Sequence, residues 1–225
     1  VVKAFQKLLP NESIVYFGDT ARVPYGIKSK NLVLQYSIQI TNFLIKKNAK
    51  LIIIACNTAT AMALNELREK FIDVPIIGVI DPGVKKAVSI TKTNNIGVIG
   101  TIATINSKAY YKLIKTLNSN IKIHSKACPL FVPFVEEGLL KGKAISEVIK
   151  YYLNDFEYKV DTLILGCTHY PLLKEAMSSV TKDIVLIDSA YVVANSAKDI
   201  LSKYNMLNEK HNQGLLLCYV TDLPM

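Results

Sequence analysis

The stretch Leu51-Ile52-Ile53-Ile54-Ala55-Cys56-Asn57-Thr58-Ala59-Thr60-Ala61 decides the architecture: an unbroken apolar run stops at a cysteine, a polar Asn-Thr pair follows, and a helix-compatible segment begins. Such a run is expected of a strand covered on both faces, as in a parallel sheet flanked by helices. The same order recurs in Thr162-Leu163-Ile164-Leu165-Gly166-Cys167-Thr168-His169-Tyr170-Pro171-Leu172. Each turn sets a thiol at the carboxyl end of a strand, where ligands bind in open α/β sheets. The N–H groups of a starting helix favour a thiolate there, so one such turn is a candidate nucleophile, and two suggest a pair of thiols facing one substrate. The bland alternative for either is a small buried hydrophobe, the common fate of free cysteine.

Working outward, further strand-like runs lie at 14–17, 76–80, 96–99, 121–124, 184–187 and 215–220. Helix-period segments at 29–47, 58–71, 82–90, 104–117, 144–156, 171–180 and 190–204 alternate with them. Ser29 is a plausible N-cap for a helix that places Leu32, Tyr36, Ile40, Phe43 and Leu44 on one face. Pro82 and Pro171 open two others. Alternating strands and helices imply parallel sheets with right-handed crossovers. Two similar cysteine turns imply two similar parallel-sheet α/β lobes facing each other across a central cleft.

The bulk numbers narrow the function classes. The chain has 225 residues, half of them apolar and a fifth charged, which suits a globular protein with a substantial core. No apolar run approaches the roughly 18–20 residues of a membrane span, so no membrane role is expected. The net charge of +9 raises the question of nucleic acid, but the lysines are scattered and Arg22 and Arg68 are the only arginines. Nucleic-acid binding is set aside as a main role, because such proteins cluster their charge and use arginine for bidentate contacts. Cys56, Cys128, Cys167 and Cys218 are far apart and form no C-x-x-C or zinc spacing, which fits a reducing cytoplasm. Cys128 and Cys218 read as core thiols, and His124 and His211 as structural or solvated. The chain opens Val1-Val2-Lys3 inside an apparent helix, so a natural N-terminus is expected upstream.

Several blocks together resemble the cofactor-independent glutamate racemases of the aspartate/glutamate racemase superfamily. They are Leu9-Pro10-Asn11-Glu12, Tyr16-Phe17-Gly18-Asp19-Thr20-Ala21-Arg22-Val23-Pro24-Tyr25-Gly26, Cys56-Asn57-Thr58-Ala59-Thr60-Ala61 and Gly100-Thr101-Ile102-Ala103-Thr104. Phe131-Val132-Pro133-Phe134-Val135-Glu136-Glu137-Gly138 and Gly166-Cys167-Thr168-His169-Tyr170-Pro171-Leu172 complete the set. The resemblance implies a first lobe from residues 1–93 and 190–225, carrying Cys56, and a second from 94–189, carrying Cys167. It implies interconversion of L- and D-glutamate without pyridoxal phosphate or metal, supplying D-glutamate for peptidoglycan, by a cytoplasmic enzyme that forms a homodimer. It also implies a strand ending in Asp-Ser-Gly before Val1 and a helix after Met225, neither of which this sequence contains.

Racemisation removes the Cα proton from one face and returns one to the other, which two opposed thiols accomplish as thiolate and thiol. By the resemblance, Cys56 deprotonates D-glutamate and Cys167 L-glutamate, His169 assists Cys167, and Asp19 and Glu136 (in preference to Glu137) lie near the site. Asp19 as a turn residue and Glu136 as a surface acid are the alternatives. Substrate groups are expected at Asn57, Thr58 and Thr168 for the α-carboxylate and ammonium. The turn Pro24-Tyr25-Gly26 is expected at the side-chain carboxylate, and Thr101 or Thr104 at a helix start. The competing readings are a racemase for aspartate or a related amino acid, and an inactive fragment lacking the N-terminal Asp.

Overall fold

Each apolar run forms a strand in the computed structural model, which describes residues 1–156, 159–181, 183–209 and 212–223. His211 lies outside the described residues. The chain runs α1 (Val2–Leu8), β1 (Ile14–Gly18), α2 (Lys30–Lys46), β2 (Ile52–Ile54), α3 (Asn57–Lys70), β3 (Ile76–Gly78) and α4 (Ile80–Ile90). It continues through β4 (Asn95–Gly100), α5 (Ile102–Asn106), α6 (Ala109–Leu117), β5 (Lys122–Ala127), α7 (Phe131–Glu136) and α8 (Lys143–Leu153). The remaining elements are β6 (Thr162–Gly166), α9 (Lys174–Val180), β7 (Val185–Ile187), α10 (Ser189–Lys203) and β8 (Leu216–Val220). Short 3-10 turns at Thr20–Arg22, Tyr25–Ile27, Asn154–Phe156 and Tyr170–Leu173 fill the connections.

All strand pairs are parallel. One lobe holds a four-stranded sheet in the order β5-β4-β6-β7, and the other holds two pairs, β1-β8 and β2-β3. In the four-stranded sheet Gly100 is level with both Ala127 and Gly166, so Thr101, Cys128 and Cys167 leave the sheet along one edge. Period-two alternation divides its apolar residues between two cores. Ile99, Leu163 and Leu165 pack with Ile145 and Ile149 of α8, whereas Val98 and Ile164 pack with Ile114 of α6 and Val84 of α4. Thus α4, which precedes residue 93, lies against the four-stranded sheet and also against α10. The other lobe centres on Ile77, Val79, Val193 and Ala197, with α3 covering β2 and β3 through Ala63 and Leu67.

Two sequence expectations are corrected. The helix read over 104–117 is two helices, because Lys108 adopts a left-handed conformation at φ 57° and breaks the run between α5 and α6. Cys218 is exposed rather than buried: among the described residues β8 pairs with β1 alone, and its neighbours Leu216, Leu217 and Val220 are exposed as well. Cys128 is fully buried. Among the described residues no helix is long and apolar enough to cross a membrane.

Asp161 ties the entry of β4 to that of β6. Its carboxylate accepts from Thr91 Oγ1 at 2.7 Å and from the backbone N–H groups of Lys92 and Thr93 at 2.6 and 2.7 Å. Burial pushes this carboxyl up, but the hydrogen bonds outweigh it and hold the group at about 2, against an ordinary 3.8. A depressed carboxyl stabilises the fold above its unfolded value and loses that contribution as pH falls through its folded one. Thermal unfolding is therefore expected to show stability falling between about pH 4 and pH 2. Asp161→Ala removes this dependence and costs about 2 kcal/mol at neutral pH.

Candidate active site

Cys56 caps α3: the run of β2 ends, Cys56 takes an extended conformation (φ −79°, ψ 125°), and its Sγ accepts from Ala59 N–H at 3.5 Å. The next two residues are buried, and each reaches across to the other lobe. Asn57 Oδ1 accepts from the hydroxyl of Tyr110, on α6, at 2.6 Å. Thr58 Oγ1 lies 2.9 Å from Thr101 Oγ1 and 3.1 Å from Thr104 Oγ1, while the latter two are 3.0 Å apart. Thr101 is the N-cap of α5, its Oγ1 accepting from Thr104 N–H, so two helix starts meet through three hydroxyls.

A third segment joins them. The turn Tyr25–Ile27, opened by Pro24, brings Gly26 so close to Thr101 that a Cβ on residue 26 would stand 2.6 Å from Thr101 Cβ. Only glycine permits that approach. Tyr25 Oη donates to Asp19 Oδ2, and Arg22 Nε lies 3.6 Å from Asp19 Oδ1. Burial, followed by the Asp19 carboxylate, pushes the Tyr25 phenol above its ordinary range, and charge on Cys56 acts in the same direction. Tyr25 is therefore a neighbour of Cys56, and Asp19 reaches that neighbourhood through Tyr25, its carboxylate engaged by a phenol and a guanidinium.

Cys167 leaves β6 after Gly166 and is buried. Its Sγ lies 3.7 Å from His169 Nδ1, and His169 Nε2 lies 2.5 Å from Glu136 Oε1 at the end of α7. Glu136, rather than Glu137, meets the imidazole. If Nε2–H donates to the carboxylate, Nδ1 is left to accept the thiol proton. The Glu136 side chain is 59% exposed, so solvent weakens its pull on the ring. Thr168 is exposed and contributes its backbone N–H to Cys167.

The backbone N–H groups favour both thiolates, as expected, but burial outweighs them. Burial pushes Cys56 up, and the N–H groups of Ala59 and Thr58 with the Thr58 hydroxyl recover only part of it. Burial likewise pushes Cys167 up to about 12, against the N–H groups of His169, Tyr170 and Thr168, and charge on Cys56 raises it further. The helix starts lower both values, but desolvation of a thiolate is the larger effect. Charge on Cys56 thus disfavours ionisation of Cys167.

Sequence reading missed Tyr110, which lies with Ile114 on the buried face of α6 and resembles an ordinary core aromatic in sequence. Its partner on a distant helix start is a matter of tertiary placement.

A sequence profile of the Asp/Glu/Hydantoin racemase family matches residues 1–197. The chain belongs to this family. It is 49% identical over 222 residues to a glutamate racemase of Aquifex aeolicus (strain VF5), spanning 99% of this chain and 84% of that protein. Its fold matches the crystal structure of glutamate racemase from Francisella tularensis in complex with D-glutamate, with a TM-score of 0.94 and 41% identity over 100% of this chain and 84% of that one. Picrophilus torridus aspartate racemase, 21% identical with a TM-score of 0.58 over 92% of this chain and 93% of that one, shares the fold.

Proposed function

We propose that this protein is a glutamate racemase that interconverts the L and D enantiomers by proton transfer between Cys56, Cys167 and the substrate Cα. The observation that carries the reading is the pair of thiols at strand ends, Cys56 half-buried as the cap of α3 and Cys167 buried just after β6, with charge on Cys56 reaching Cys167. High identity to glutamate racemases over nearly the whole chain supports glutamate as the substrate.

In one direction the Cys56 thiolate takes the Cα proton of D-glutamate: the C–H bond breaks, an S–H bond forms, and the electron pair stays on the substrate. The Cys167 thiol then gives its proton to the opposite face, forming the new C–H bond and leaving Cys167 as the thiolate. The reverse direction starts from that state. His169, oriented by Glu136, takes or returns the Cys167 proton through Nδ1. The Thr58, Thr101 and Thr104 hydroxyls and the Asn57 and Thr168 groups hold the α-carboxylate and ammonium. Backbone N–H groups around Pro24, Tyr25 and Gly26 hold the distal carboxylate, and Asp19 steadies that turn through Tyr25. The proposal includes a division into lobes near residues 93 and 189, a homodimer, action in the cytoplasm and supply of D-glutamate to peptidoglycan synthesis.

Proton NMR in D₂O tests this directly. Loss of the Cα–H signal from both glutamate enantiomers, and not from aspartate, is the expected result. Exchange of aspartate instead overturns the substrate, and no exchange of either overturns the activity. Because burial raises both thiols, kcat/KM is expected to climb about tenfold per pH unit from about pH 6 with no plateau below about pH 8.5. A plateau near neutrality would show that one thiol is ionised at rest.

A further inference from the structure

We infer that Tyr110 is a positioning residue for glutamate binding, holding the Asn57 amide so that its nitrogen faces the cleft. Tyr110 is 3% exposed and wedged between both cysteine turns. Its hydroxyl donates to Asn57 Oδ1 at 2.6 Å, one residue after Cys56, and its ring lies against Gly166, one residue before Cys167. A Cβ on residue 166 would stand 3.2 Å from Tyr110 Cε2. Charge on Cys167 reaches the phenol as well.

The consequence lies in which way an amide points. A primary amide offers an oxygen that accepts and a nitrogen that donates, and only the nitrogen attracts a carboxylate. With Oδ1 occupied by a phenolic O–H, Asn57 Nδ2 lies on the other side of the amide, away from the phenol. A flipped amide would present its oxygen to an anionic substrate. Burial holds the phenol above its ordinary range, so the O–H remains a donor throughout the working pH range. The lock spans the two lobes, because α6 packs on the four-stranded sheet whereas Asn57 opens α3.

This inference rests on the glutamate reading of the same cleft. It is tested by calorimetric titration of D-glutamate into the full chain, Tyr110→Phe, Asn57→Ala and the double variant, with a thermal melt of each. Tyr110→Phe removes one oxygen and keeps the ring. It is expected to weaken glutamate binding roughly fivefold. In the Asn57→Ala background the same change is expected to have no further effect on binding, since the amide it orients is gone. A merely structural tyrosine would lower the melting temperature and leave the dissociation constant within twofold, which overturns the inference. An equal loss of binding in both backgrounds also overturns it, because the effect would then not pass through Asn57. If the parent chain binds no glutamate, the substrate reading fails and this inference with it.

Discussion

Replacing Cys167 with serine abolishes net interconversion of the glutamate enantiomers in both directions and to the same degree. Enantiomers have equal free energy, so the equilibrium constant is one and the two kcat/KM values must stay equal whatever is mutated. A serine hydroxyl is far less acidic than a thiol and leaves one face without an acid/base group. The expected loss is about 10²–10⁴-fold. The useful asymmetry appears in D₂O. With Cys167→Ser, Cys56 still removes the proton of D-glutamate and can return a deuteron to the same face. Deuterated D-glutamate then accumulates without inversion, while L-glutamate keeps its Cα proton. Cys56→Ser gives the mirror result. Proton NMR combined with polarimetry separates exchange from inversion, and inversion within tenfold of the parent in either variant would remove the two-thiol mechanism.

The second large effect comes from a position with no chemistry of its own. Gly166 ends β6 beside β4, and a Cβ there would stand 2.5 Å from the carbonyl oxygen of Ile99. The obstacle is backbone in the middle strands of a sheet, so it cannot rotate away as a side chain would. Gly166→Ala is expected to cost about 2–3 kcal/mol, seen as a fall of about 5–10 °C in melting temperature. The only relief is displacement of the turn that carries Cys167, so activity should fall by at least tenfold in the fraction that remains folded. Alanine at Gly138, where a Cβ meets nothing within 4 Å but φ is 70°, controls for backbone strain without a clash. Full activity and an unchanged melt in Gly166→Ala would show that β4 and β6 separate more easily than their pairing implies.

Most strands were legible because they are compact Ile, Val or Leu runs bounded by polar residues, and in β4 and β6 burial on both faces leaves that trace in composition. The cysteine turns were legible for the same reason: the run stops abruptly and a helix start follows. What could not be read depends on distance in the chain. A left-handed lysine at residue 108 carries no glycine or proline to announce the break it makes. Cys218 lies in a run as apolar as any core strand, and its exposure accompanies a strand with a single neighbour among the described residues. A helix start beside a thiol is visible in sequence, whereas the depth of burial that outweighs its effect on the thiol is set by residues far away. Thr58 and Thr101 could each be placed at a helix start, but their 2.9 Å approach belongs to the packing of the lobes.

The parallel pairing of β1 with β8 also bears on the order in which a growing polypeptide acquires its structure. Thr20 Oγ1 accepts from the backbone N–H of Asp222, a contact spanning 202 residues. The pairing of β1 with β8 therefore forms only after Leu216–Val220 has been synthesised, whereas every strand of the four-stranded sheet lies between Asn95 and Ile187. On the ribosome, that sheet can close before β1 meets β8, so a pairing whose first strand is translated earlier is completed later.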